Sequence, residues 1–437
     1  MSVISPQSPD GLSVRDGCSP NRILRIAFFK ANESATEFGV ENTTGRDCRL
    51  YIERMHKRVR GLFRSLLVGL ALAAFLSESA HAAQLSVRRI SALPALSPLA
   101  MSTGGRTLIK PSATPNSFGS KDYKSQWPGA YFRAAFEGDK VFFRVVRSPG
   151  ILHIVVDGQA AAPLVKPEAG VYEVDGLDEG RHTIGVFVAT ESQGPPNTFG
   201  GFAIPAGAKA VKLPPRHRQI EFIGDSHTVG YGDLSPKREC TPDEVSANTD
   251  DTKALGPMTA NHYDADYQIN AISGRGVIRN YGGFKGDTIP QVYPYVSFYT
   301  KQEYKDPAWK PQILVIGLGT NDFSTPLNPG ERWKTREQLQ ADYEANYLAF
   351  LKRLRTRNPH AYFIVWATDI GGGEIEAEAL KVVQQLLKSG DNNVTFLPVN
   401  GLSFTGCDWH PSQADQKLIS EKLVQLIDSN KKAWQRR

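Results

Sequence analysis

A chain of 437 residues with 41% hydrophobic, 22% charged and 10% aromatic residues has the length for two or three domains and the composition of a globular protein, not of a collagenous, coiled-coil or disordered one. Residues 1–82 hold 11 of the 51 basic and 8 of the 45 acidic residues, so half of the net charge of +6 lies there. The remainder is close to neutral and shows no basic stripe interleaved with aromatics, which argues against nucleic acid as a partner.

The first legible element begins at Met55. Lys57, Arg58, Arg60 and Arg64 precede an apolar run from Leu66 to Leu76, and Ala80 and Ala82 frame a small-residue cleavage pattern. This is the plan of a secretory signal peptide over 55–82, and the run is too short to span a bilayer of about 30 Å. A buried apolar helix is the competing reading, disfavoured by the basic flank. Residues 1–54 lack hydrophobic periodicity and read as an upstream extension from a misplaced start codon. The mature chain is expected to begin near Ala83 and to be secreted or periplasmic, with no membrane association after the signal is removed. Cys18 and Cys48 fall in the discarded part, and Cys240 and Cys407 remain. In an oxidising compartment a disulfide between them is favoured over two free thiols.

Residues 83–116, rich in Ser, Pro and Ala, read as a leader. From 117 to 213 short runs of aromatic and β-branched residues follow one another: Tyr131 to Phe136, Lys140 to Val146, Ile151 to Val156, Val171 to Val174 and His182 to Ala189. Turn sequences such as Ser148-Pro149-Gly150 and Asp157-Gly158 separate them, which predicts an antiparallel β-sandwich.

The pattern changes after Pro214-Pro215. Strand candidates at Gln219 to Ile223, Tyr267 to Ile272, Gln312 to Ile316, Ala361 to Trp366 and Val394 to Pro398 alternate with helices. The clearest helix runs from a Thr335 cap to about Arg355, with Leu339, Tyr343, Tyr347, Phe350 and Leu354 on one face. Another covers Glu374 to Lys388, and a last one begins at Ser412 with Asp415 three residues on, a capping-box pattern. Residues 214–437 therefore read as an α/β domain, a parallel sheet with helices on both faces and a ligand crevice at the carboxyl ends of its strands. The long connections 233–265 and 279–310 are expected to wall that crevice.

Three short segments at strand ends carry chemistry. Gly224-Asp225-Ser226 closes the first strand, where a serine entering a helix exposes its hydroxyl near a positive helix end. Taken alone, Ser226 is more readily an N-cap. Gly319-Thr320-Asn321-Asp322 follows the third strand and presents an amide able to donate to an oxyanion, although the same residues make ordinary turns. His410 lies just before the last helix, with Asp408 two residues earlier as an orienting carboxylate. His227, next to Ser226, reads as a wall residue. His227, His262 and His410 lack metal-ligand spacing, so no metal or other cofactor is expected.

Together these segments resemble the blocks of the SGNH (GDSL-type) hydrolases. They map onto Gly224-Asp225-Ser226, a glycine within Asn270-Ala271-Ile272-Ser273-Gly274-Arg275-Gly276, Gly319-Thr320-Asn321-Asp322 and His410. With a preceding sandwich that opens on Trp127-Pro128-Gly129, residues 117 to 430 resemble carbohydrate esterase family 2, which joins a jelly-roll domain to a flavodoxin-like SGNH domain. The resemblance implies a serine esterase that removes acetyl groups from polysaccharides such as xylan or glucomannan. It assigns Ser226 as nucleophile, His410 as base, Asp408 as the acid, and Ser226, Gly274 and Asn321 as oxyanion donors. The general pattern places the acid three residues before the histidine, where this chain has Cys407. Some members of the family use the carboxylate two before, and others a Ser–His dyad.

The expected partner is an acetylated polysaccharide, met by a monomer. The alternatives are an SGNH esterase acting on another acyl ester, such as peptidoglycan O-acetyl or a lipid ester, and a catalytically silent carbohydrate-binding protein.

Overall fold

The computed structural model describes residues 85–435 apart from positions 299 and 431, and these form one compact unit. The expected extension at 1–54 and signal peptide at 55–82 lie outside the described residues.

Among the described residues two seven-stranded antiparallel sheets make the N-terminal sandwich. One runs in the order Ser86–Ile90, Gly170–Asp175, Val141–Arg147, Asn197–Pro205, Gly119–Ser125 and Thr107–Asn116, with Leu96–Leu99 also paired to Asn197–Pro205. The other centres on Ile151–Val156, Arg181–Val188 and Tyr131–Glu137, and Met101–Gly104 pairs with the last of these. Alternation drives the packing: Leu152, Ile154 and Val156 turn inward from one strand to meet Phe132, Phe136, Phe143, Ile184 and Phe202.

The expected leader over 83–116 is, in its described part from Ser86 on, part of the sandwich. Ser86–Ile90, Leu96–Leu99, Met101–Gly104 and Thr107–Asn116 are strands of the two sheets. The first three bury few side chains and the sheet ends on Ser86–Ile90 and Thr107–Asn116, so hydrophobic patterning there is weak.

The C-terminal half is a five-stranded parallel sheet of β1 (Arg218–Gly224), β2 (Ala265–Ala271), β3 (Ile313–Gly317), β4 (Tyr362–Thr368) and β5 (Val394–Val399), ordered β2-β1-β3-β4-β5. Among its helices are α1 (Ser226–Val229), α2 (Leu255–His262), α3 (Thr320–Phe323), α4 (Arg336–Arg357), α5 (Glu374–Lys388) and α6 (Gln413–Ser429), with other short ones at Pro242–Asn248 and Ile289–Val292. Leu255, Ala260, Ile419, Leu423 and Ile427 of α2 and α6 cover one face of the sheet. Leu339, Tyr343, Tyr347, Leu354 and Val382 of α4 and α5 cover the other. Thr335 caps α4, and Ser412 with Asp415 forms the capping box of α6. This is the flavodoxin-like order, whose switch point lies between β1 and β3, so the crevice opens where Ser226 and Asn321 leave their strands.

The sandwich is anchored to this sheet by buried polar contacts. Trp127 is buried among the α4-side core and its indole N–H donates to Tyr295 O at 3.0 Å. Gly129 has a φ of +65°, and a β-carbon there would lie 2.5 Å from Ile269 Cδ1, so a larger residue would strain the backbone and displace that side chain. Arg106 crosses into the catalytic half, its Nη2 donating to Glu221 Oε1 at 3.1 Å with both side chains out of water.

Candidate active site

The turn after β1 is built for close approach. A β-carbon on Gly224 would meet Thr228 Oγ1 at 2.0 Å and Gly317 O at 3.0 Å. The side chain of Asp225 then caps α1 by accepting the His227 N–H at 3.1 Å, which places Ser226 at the first helical position, 4% exposed.

His410 arrives from the far end of the sheet on the turn Cys407–Trp409. Its Nε2 lies 2.8 Å from Ser226 Oγ. Its Nδ1 lies 2.9 Å from Cys407 O and 3.2 Å from Asp408 O. Carbonyl oxygens only accept, so Nδ1 carries the proton and Nε2 is left to accept from the serine hydroxyl. Burial holds the His410 imidazole below its usual range, against the Cys407 carbonyl and the Asp408 charge, which pull it up.

Asp408 does not orient the imidazole through its carboxylate. Its Oδ2 accepts from Tyr231 OH at 3.1 Å. The backbone explains the difference: Asp408 and Trp409 have φ of +51° and +57°, and in this turn the main-chain carbonyls of Cys407 and Asp408 reach Nδ1. Tyr231, which sequence reasoning missed, also lays its ring 4.3 Å from that of His410. His227 stands perpendicular to His410 at 5.6 Å, and burial and the His410 charge push it down to about 3, so it stays neutral.

The segment Ser273–Arg279 faces the same crevice. Gly274 has a φ of +80°. Among the described residues neither the Gly274 N–H nor the Ser226 N–H donates to a protein acceptor. Asn321 sits on α3 with Nδ2 3.0 Å from Arg275 O and 3.2 Å from Asp225 Oδ2. Asp322, given no role of its own in the sequence beyond membership of the Gly319–Asp322 block, accepts the N–H groups of Val277, Ile278 and Arg279, each at 2.9 Å. Its carboxyl is pushed up to about 6 and that of Asp225 to about 7, both by burial.

Cys240 and Cys407 are joined, with Cα atoms 5.5 Å apart, so the histidine turn is tied to the long loop after α1. Gly232 makes room for that turn, since a β-carbon there would lie 2.3 Å from Cys407 Cβ.

A serine hydroxyl donating to a neutral imidazole beside two free N–H groups is the equipment of acyl transfer. Residues 118–214 match the family described as carbohydrate esterase 2 N-terminal, and 220–423 match the GDSL-like lipase/acylhydrolase family. The chain is 42% identical over 370 residues to an acetylxylan esterase/glucomannan deacetylase of Cellvibrio japonicus (strain Ueda107), covering 84% of this chain and 99% of the relative. The chain belongs to carbohydrate esterase family 2. This family 2 esterase, a carboxylic ester hydrolase, is also similar to cellulase/esterase CelE of Acetivibrio thermocellus, at 30% identity over 326 residues, 71% of this chain and 38% of that protein. Among solved structures, a carbohydrate esterase whose active site displays divergent catalytic and non-catalytic binding functions superposes with a TM-score of 0.73 at 42% identity, over 77% of this chain and all of that one. A family two carbohydrate esterase from Clostridium thermocellum in complex with cellohexaose gives 0.65 at 28% identity, over 76% of the esterase and 98% of that chain.

Proposed function

We propose that this esterase removes O-acetyl groups from polysaccharides, xylan or glucomannan among them, through a Ser226–His410 dyad. The observation that carries the proposal is the 2.8 Å approach of His410 Nε2 to Ser226 Oγ, with Nδ1 held by a main-chain carbonyl. In the first step Ser226 Oγ attacks the acetyl carbonyl as its proton passes to Nε2. The tetrahedral oxyanion is met by the N–H groups of Ser226 and Gly274, and by the Asn321 amide once it turns from its resting partners. Collapse breaks the ester bond, and Nε2–H gives its proton to the departing sugar oxygen. Water then loses a proton to Nε2, attacks the acetyl-serine, and acetate leaves as Ser226 Oγ recovers the proton.

Exposed aromatics support a sugar substrate. Trp409, 53% exposed, adjoins His410 in sequence, and Phe284 lies beside Gly274, its ring 3.4 Å from where a β-carbon would be. Flat apolar faces of this kind match the C–H faces of pyranose rings. Export supports the same reading: a polysaccharide outside the cell would be met by a monomer directed there by the signal peptide of 55–82, removed on export, and clasped by the Cys240–Cys407 bridge.

The test is acetate release from acetylated xylan, acetylated glucomannan and O-acetylated peptidoglycan, alongside p-nitrophenyl esters of increasing chain length. Release from the plant polysaccharides with a preference for acetyl over long acyl chains is expected, and Ser226→Ala should lose at least about a thousandfold. Preference for peptidoglycan or long acyl chains replaces the substrate. Absence of turnover on every ester rejects the enzyme.

A further inference from the structure

The peptide joining Ser273 to Gly274 is planar and trans, so its C=O and N–H point in opposite directions. Whatever fixes the Ser273 oxygen therefore aims the Gly274 N–H. That oxygen accepts from Gln193 Nε2 at 3.0 Å. On the other side of Ser273, its own N–H donates to Glu191 Oε1 at 2.8 Å. Glu191 and Gln193 do not belong to the catalytic half. They sit on the loop between the sandwich strands Arg181–Val188 and Asn197–Pro205.

The arrangement answers a specific need. With a φ of +80°, Gly274 occupies a conformation in which glycine is at home but is not confined to it. Within its own half the segment is tied by Tyr281 N–H to Gly274 O at 2.9 Å and Arg275 N–H to Ile272 O at 3.2 Å. Neither contact fixes the plane of the Ser273–Gly274 peptide through its oxygen. A hydrogen bond to that oxygen also polarises the amide and strengthens its N–H as a donor.

We infer that Gln193 and Glu191 of the N-terminal sandwich are positioning residues for the oxyanion hole, holding both peptide groups of Ser273 so that the Gly274 N–H faces the reacting carbonyl. The inference rests on the acyl-enzyme reading above. It makes the sandwich a working part of the catalytic site and not only a neighbouring module. Burial pushes the Glu191 carboxyl up from its ordinary value, and its Oε1 accepts from Ser273 in either protonation state.

The experiment uses p-nitrophenyl acetate with Gln193→Met, which keeps the length and loses the donor, and Gln193→Lys, which restores a donor of similar reach. Removal of a direct oxyanion donor costs about a hundred- to a thousandfold, and misaiming one should cost less, so Gln193→Met is expected to lower kcat roughly tenfold. KM should stay within about twofold because acylation and deacylation share the hole. Gln193→Lys should recover at least about half of the lost rate, and Glu191→Gln, which keeps an acceptor, should outperform Glu191→Leu. Tm is measured for each, and a change beyond about 2 °C in Gln193→Met would assign its loss to folding and overturn the proposal. A wild-type kcat in Gln193→Met, or equal losses in the Met and Lys variants, overturns it as well while an inactive Ser226→Ala leaves the nucleophile in place. Turnover by Ser226→Ala would instead overturn the underlying reading.

Discussion

Replacing Arg106 by methionine keeps the side-chain stem and removes the cation from a site closed to water. Its partner Glu221 would retain three neutral donors: Asn270 Nδ2 at 2.6 Å, Tyr293 OH at 2.7 Å and Trp309 Nε1 at 3.2 Å. Breaking a buried ion pair from one side costs about 3 to 5 kcal/mol, and those surviving donors place this case at about 3. The guanidinium also lies over the rings of Tyr293 at 4.4 Å and Tyr304 at 4.8 Å, and cation–π contact adds at least about 1 kcal/mol. The expected loss is therefore about 4 kcal/mol in urea unfolding at 25 °C, or a fall in Tm of roughly 8 °C. Adding Glu221→Gln, which needs no counter-ion, should return about half of the loss. A change below about 1 kcal/mol, or no return in the double variant, would refute the reasoning that this pair joins the two halves.

His410→Ala should be as damaging as loss of Ser226, at least about a thousandfold in kcat, whereas Asp408→Ala should cost about tenfold or less because main-chain carbonyls hold the imidazole. An Asp408 variant as inactive as the His410 variant would establish a carboxylate triad. Burial raises Asp225 to about 7 and Asp233 to about 8, far above an unfolded carboxyl, so the folded state holds protons that the unfolded chain has already lost. Between pH 6.5 and 8 stability should therefore fall as pH rises, a trend that Asp233→Asn should reduce; a Tm that rises across this window contradicts it. Denatured, unreduced protein beginning at Ala83 should titrate about zero free thiols, and Cys240→Ser, which opens a ring with a sequence separation of 167, should lose up to about 4 to 5 kcal/mol. About two free thiols per chain would rule out the bridge.

The parallel sheet was legible because its strands are buried on both faces and read as unbroken apolar runs: Ile313–Gly317 and Tyr362–Thr368 lie within two residues of where periodicity puts them. Helices α4 and α6 were marked by their own caps at Thr335 and Ser412. The strands between Ser86 and Asn116 escaped because Pro98, Pro111 and many exposed polar positions interrupt the alternation. Asn197–Pro205 escaped for the opposite reason, being buried nearly throughout with Gly200 and Gly201 at its centre. Ser226, Gly274, Asn321 and His410, which the structure brings to one crevice, stand in short blocks at strand ends that the sequence displays. Tyr231, Asp322, Glu191 and Gln193 act through backbone groups or distant partners, and nothing in their local sequence announces that. The Asp408 carboxylate was misplaced because spacing along the chain does not show that two left-handed residues turn it toward Tyr231.

Ser226 and His410, the proposed nucleophile and base, are 184 residues apart, and β2, β3, β4 and β5 are all synthesised between them. A nascent or half-threaded chain thus carries Ser226 as an ordinary alcohol with no acceptor for its proton. The base becomes available only when the last turn docks, and the covalent clasp of that turn closes only where cysteines are oxidised. The order of the chain delays hydrolytic competence until the last turn has been made and has docked, so a partly assembled chain is not yet a hydrolase.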